Sequence, residues 1–85
     1  KMKTINSNVY GLSSRIKLVK KDNRIFILID RKSRVIMKDG YRIVEIVKKI
    51  KLVEAGQEIG VLSSAPVCSK TQKYLCDRNI EITNL

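Results

Sequence analysis

Five consecutive apolar residues, Ile25-Phe26-Ile27-Leu28-Ile29, constrain this chain more than any other feature. A strand with one wet face alternates apolar and polar residues, and this run has no polar side to offer water. It therefore predicts a strand in the middle of a sheet, covered on both faces. With 85 residues, one proline and four glycines, the chain makes one domain, 1–85, with one modest core. A chain this short buries only about 60 to 65% of its unfolded surface. The composition, 44% hydrophobic and mostly aliphatic, excludes a disordered or low-complexity chain.

The neighbours of the apolar run supply the rest of a sheet. Arg15 to Lys20 places Arg15 and Lys17 on one face and Ile16 and Leu18 on the other, the period of a half-buried strand. Lys21-Asp22-Asn23 makes a turn, because Asp and Asn tolerate left-handed geometry. Asp30 to Ser33 turns the chain into a third strand at Arg34 to Met37, or the central strand continues through a bulge. Lys1 to Ser14 reads as an arm or a short first strand.

Beyond this meander the period changes. Asp39 is a good N-cap, and Ile43, Ile46, Val47, Ile50 and Val53 follow at helical spacing, predicting a helix over Gly40 to Glu54 that Gly56 stops. Glu58 to Leu62 is a strand, Val67 to Asp77 a second helix with Pro66 at its first turn, and Ile80 to Thr83 a last strand. The expected fold is α/β with a mixed sheet in the order βββαβαβ, an antiparallel meander followed by a right-handed, parallel βαβ crossover. Two short helices cover one face of such a sheet. The other is left to the N-terminal arm or to a second subunit, and a homodimer is the preferred expectation.

Charge is distributed as unevenly as hydropathy. Lys1 to Lys38 holds eleven Lys or Arg against Asp22 and Asp30, whereas Asp39 to Leu85 holds seven basic and six acidic residues, in a chain of net charge +10. The set Arg15, Lys17, Lys20, Lys21, Arg24, Arg31, Lys32, Arg34 and Lys38 falls on the strands and turns of the meander, a pattern suited to a polyanion. With no Trp, one Phe and three Tyr, stacking platforms for single-stranded bases are scarce. Binding to DNA or RNA is therefore expected to rest on phosphate contacts.

A second group of residues sits at the end of the apolar run. In Ile29-Asp30-Arg31-Lys32-Ser33, an acid and a lysine two apart share one face. Here the chain resembles the restriction-endonuclease-like (PD-(D/E)xK) nuclease superfamily, which carries an acid-x-Lys at the end of a core strand followed by a helix and a strand. The resemblance covers Arg15 to about Leu62 in element order. It implies Asp30 as a ligand for Mg²⁺ and Lys32 as a group that positions water or stabilises a phosphorane. The family also carries an acid on the preceding strand, and here only Asp22, in the predicted turn, comes near that place. Glu45 is a second possible ligand or, more simply, a helical partner of Lys48 or Lys49.

The last group lies between a strand and a helix start, in Ser63 to Thr71. Ser64, Ser69 and Lys70 can hold an anion there, and Cys68 in the first turn is exposed to the helix dipole. The chain has no histidine and only Cys68 and Cys76, which are too far apart along one helix to bridge. Zinc sites and histidine-assisted nucleophiles are excluded. No apolar run is long enough to span a membrane and no secretory signal is seen, so a cytoplasmic chain without a membrane partner is expected. The expected function is a non-catalytic nucleic-acid-binding domain without cofactor. A Mg²⁺-dependent nuclease and a protein-assembly subunit are the alternatives.

Overall fold

The computed structural model describes residues 3–85. It contains strands β1 (Lys3–Ile5), β2 (Lys17–Lys21) and β3 (Arg24–Ile29), helix α1 (Met37–Val53), strand β4 (Glu58–Ser63), helix α2 (Ser69–Cys76) and strand β5 (Glu81–Asn84), with a 3-10 turn at Ser7–Tyr10. The order is the expected βββαβαβ: the strands expected at Arg15 to Lys20 and Ile25 to Ile29 form, and the third of the set is the N-terminal β1 in place of Arg34 to Met37. One mixed sheet holds all five strands in the order β1-β2-β3-β4-β5, antiparallel from β1 to β3 and parallel from β3 to β5. Lys1 and Met2, the start of the expected arm, lie outside the described residues.

Local chemistry explains most of the element boundaries. Asp22 and Asn23 both adopt left-handed backbone, φ 53° and 67°, which makes a two-residue hairpin whose twist suits β2 and β3. The apolar run lands on β3, where Ile25, Phe26 and Ile27 are buried. Helix α1 starts at Met37, three residues before the expected Gly40. Asp39 acts from within its first turn, accepting the Ile36 amide at 2.9 Å. Helix α2 starts two residues later than expected, so Pro66 and Val67 stay in the preceding loop. Asn79, at φ 60°, ends the chain's turn after α2 in the left-handed region where Asn is tolerated.

The expected strand at Arg34 to Met37 is absent. A strand has two hydrogen-bonding edges, and β3 fills one with β2 and the other with β4 over six paired positions, Arg24–Glu58 to Ile29–Ser63. No edge remains for a third antiparallel strand. Instead Val35 forms one isolated parallel bridge with Val67 and is fully buried. The third antiparallel strand is β1, so the strand alternative for the N-terminal stretch is the one that forms.

The core lies between the sheet and the two helices. Ile25, Ile27, Ile59 and Val61 point from the sheet into a cluster with Ile43, Ile46, Val47 and Ile50 of α1 and Leu75 of α2. Tyr10 and Leu12 close one side of it, and the Tyr10 hydroxyl donates to Glu54 Oε2 at 2.6 Å.

The second face holds Val19, Phe26, Leu28 and Leu62, which share register rows across β2, β3 and β4. Around Phe26 the cover comes from the chain's own side chains, while Leu28 and Leu62 stay half-buried. The Phe26 ring lies over Gly60, so close that a Cβ there would sit 3.1 Å from Cε1, and Phe26 keeps only 8% exposure. Beside it Arg24 reaches across the sheet to Glu58 at 2.8 Å and Glu81 at 3.6 Å. Burial of Phe26 thus needs neither an arm nor a second copy.

Candidate functional site

Because both helices return from the sheet in the same sense, the ends of β3 and β4 and the starts of α1 and α2 meet at one edge. Two loops build it: Asp30 to Ile36 after β3 and Ser64 to Cys68 after β4. They are laced together by backbone. Ser64 N–H donates to the Ile29 carbonyl, Val35 N–H to Pro66 and Cys68 N–H to Val35, all at 2.9 Å. Since β2 runs antiparallel to β3, Arg15 and Lys17 arrive at the same edge.

Between these segments lies a concavity of about 280 Å³. Arg15, Lys17, Arg31 and Arg42 line it, together with Asp30 and Asp39, while Ile16, Ile29 and Ile46 contribute apolar walls. Asp39 is already committed. It accepts from Arg31 Nη2 at 2.6 Å and from the Ile36 amide. Burial works to raise its pKa. The Arg31 bond, the Ile36 amide and the charges of Arg31 and Lys38 outweigh it, so the carboxyl stays below its ordinary range.

Arg31 organises the loop it belongs to. Its Nε donates to the Ser33 carbonyl and its Nη2 to the Arg34 carbonyl, both at 3.1 Å. This wrapping turns the chain from β3 into α1 and leaves Lys32, Arg34 and Lys38 exposed around it. Ser64 serves the same loop: its hydroxyl donates to Asp30 Oδ1 at 2.8 Å and lies 3.2 Å from the Arg31 amide that donates to it. Of the three residues expected to hold an anion, Ser64 is thus engaged by Asp30 and Arg31, while Ser69 and Lys70, the first residues of α2, are exposed.

The expected basic set divides in two. Arg15, Lys17, Arg31, Lys32, Arg34 and Lys38 belong to this edge, while Lys20, Lys21 and Arg24 flank the hairpin at the opposite end of β2 and β3. The length of β2 separates the groups by about 13 Å, more than the roughly 8 Å over which exposed charges act at physiological salt. They are two surfaces, and Arg24 is bound to Glu58 and Glu81 on the second one. Arg42 was not foreseen because it lies in the near-neutral half. The available signal was its spacing: it follows Lys38 by one helical turn and adjoins Ile43 and Ile46 of the core stripe.

The residues implied as a Mg²⁺ site do not fit that ion. Asp30 and Lys32 follow β3 in the loop, Asp30 is bonded to Ser64, and the neighbouring carboxylate, Asp39, is held by Arg31. Glu45 pairs with Lys48 at 3.5 Å, its simpler helical role. Among the described residues no three His, Cys, Asp or Glu converge on one point, and four cations line the concavity that a divalent ion would enter. A hard dication needs several oxygen ligands and a negative site; this edge favours anions. Among the described residues no helix is long and apolar enough to cross a membrane. The chain matches no protein-family model, no curated protein and no solved structure.

Proposed function

We propose that this chain is a small, non-catalytic nucleic-acid-binding domain of the cytoplasm that holds a phosphate backbone against the edge where β3 and β4 end. The observation that carries this reading is the concavity lined by Arg15, Lys17, Arg31 and Arg42, with Asp39 neutralised by Arg31. Exposed Lys32, Arg34 and Lys38 extend the charge beyond its rim. Phosphate oxygens spaced along a strand suit such a row of donors, and each neutralised phosphate releases counterions. The free thiols of Cys68 and Cys76 fit a reducing compartment.

The test is a salt titration of labelled duplex DNA and RNA with two variant proteins. In one, Lys32, Arg34 and Arg42 become Gln; in the other, Lys20 and Lys21 become Gln. The slope of log affinity against log salt falls by roughly 0.9 for each phosphate that is no longer neutralised, so the first variant should lose about 2 to 3 from it while the second stays near the parent. A loss confined to the second variant would move the surface to the hairpin, equal losses would overturn the assignment to this edge alone, and no binding at low salt would end the reading. Mg²⁺-dependent cleavage that disappears in Asp30→Asn would replace it with the nuclease alternative.

A further inference from the structure

The sheet ends at β5, which pairs with β4 alone. Just past the strand, Leu85 N–H donates to the Ser63 carbonyl at 2.9 Å. Backbone direction alternates along a strand, so Thr83 and Glu81 also turn their N–H and C=O toward β4. The Glu81 carbonyl beside Gly60 agrees with that register. Ile82 and Asn84 therefore turn their N–H and C=O outward, in strand geometry and with no strand beyond them.

The space these groups face is walled. Helix α2 overhangs the edge, and its Gln72 and Cys76 stand across from Ile80 and Ile82 over a concavity of about 390 Å³. A second concavity, of about 350 Å³, continues it between Val67, Gln72 and the outer side of Ile82 to Asn84. Gln72 and Ile82 line both, which makes one groove along β5. Ile82 lies on the helix side of the sheet, in the row of Val61, and is only half-buried. The opposite edge of the sheet is blunted: β1 is three residues long and exposes Lys3. Strand β5 has neither the lysine nor the proline that commonly protects an edge.

We propose that this groove docks an extended acidic peptide, which adds a further strand to the sheet beneath α2. The outward N–H and C=O of Ile82 and Asn84 specify the occupant's backbone, because only another extended chain meets both in alternation. Every second side chain of that strand then falls on the helix side, between Ile82 and Gln72, where Val67 and Ile80 add apolar wall and aliphatic residues fit. Charge sets the ends of the peptide. Lys73 is exposed on α2 one turn before Cys76, the chain carries +10, and Glu81, the one charge of β5, lies on the opposite face within 3.6 Å of Arg24. A second copy fits poorly. Pairing β5 with β5 about a two-fold axis would set both α2 helices over the shared edge, closer than the roughly 8 to 10 Å that packed helix axes need, and would bring a further +10. The inference does not depend on nucleic-acid binding.

The test is an amide-resolved NMR titration of isotope-labelled protein. Its probe is a pool of short synthetic peptides with Asp or Glu at both ends, Val, Ile or Leu at alternate positions, and Thr or Ser between them. The amides of Ile82 and Asn84 should shift and exchange more slowly with solvent, while those of β1 stay as in the free protein. The same pool N-methylated along its interior cannot pair and should leave them unchanged. Asn84→Pro removes one outward N–H and leaves the β4 ladder and the core intact, a placement that an edge strand tolerates. It should weaken binding by about fivefold or more, the worth of one hydrogen bond. Unmoved Ile82 and Asn84 amides overturn the proposal, as does equal binding of the methylated pool, of a pool ending in Lys, or to a folded Asn84→Pro protein. Protection of those amides on concentrating the protein without peptide also overturns it, by giving the edge to a second copy. If Asn84→Pro does not fold, the methylated pool decides: lost binding supports the added strand and retained binding removes it.

Discussion

Replacing Gly60 by Ala should unfold this protein at a lower temperature, although the change would be expected to help an ordinary strand. Gly60 stands between Phe26 and Glu81 in the sheet. A Cβ there would meet the Glu81 carbonyl oxygen at 3.0 Å and two Phe26 ring carbons at 3.1 and 3.2 Å. The carbonyl belongs to β5 and yields only if that strand moves. The ring yields only by leaving the groove that keeps it 8% exposed. Against the strain stand one buried methyl, about 0.8 kcal/mol, and a gain of roughly 0.5 to 1 kcal/mol in backbone entropy. Overpacking typically costs about 1 to 3 kcal/mol, and uncovering part of Phe26 adds about 1 kcal/mol. The net is a loss of about 1 to 2 kcal/mol, or roughly 4 to 16 °C in Tm for a domain of this size. Far-UV circular dichroism melts measure it, with Gly56→Ala as companion. Gly56 has no atom within 4 Å of its would-be Cβ and lies outside the left-handed region. That variant should match the parent or gain up to about 1 kcal/mol. A Gly60→Ala protein melting at or above the parent would refute the account of how the second face is covered.

Other outcomes follow from named contacts. Tyr10→Phe removes the hydroxyl that donates to Glu54 and should cost about 1 kcal/mol in a urea melt. Burial, then the Glu54 bond and charge, raise the Tyr10 pKa to about 12. The neutral phenol is thus favoured on folding, so its contribution is complete below about pH 10 and is lost as pH rises through 12. Asp39→Asn should loosen the start of α1 by about 1 kcal/mol, seen as faster amide exchange at Ile36. Since the Asp39 pKa is lowered, its contribution is present above about pH 4 and fades as pH falls through the folded value, a loss the Asn variant should not show. Thr71→Val, which deletes an orphaned hydroxyl, should raise stability by about 1 kcal/mol in the same urea melt.

What could be read along the chain was what is decided within a few residues. The apolar run at Ile25 to Ile29 required a central strand, Asp22-Asn23 required a tight turn, and the 3.6-residue spacing from Ile43 to Ile50 required a helix. The crowding of charge before Asp39 is likewise a property of order alone. Which strand would lie beside which was settled elsewhere, because an edge of β3 can be used only once. Parallel pairing with β4 took the edge that a local hairpin into Arg34 to Met37 would have used, and the residues there became the loop that Arg31 wraps. The local β2–β3 hairpin already puts Lys20, Lys21 and Arg24 at one end of the sheet and Lys17 and Arg31 at the other, and the long-range choice brought Arg42 to the second of these. It also tied Arg24 to Glu58 and Glu81, and set Phe26 over Gly60. Periodicity and turn chemistry are local free energies written in consecutive residues; partners across a sheet are selected by the packing of the whole core, and no window of neighbouring residues contains that selection.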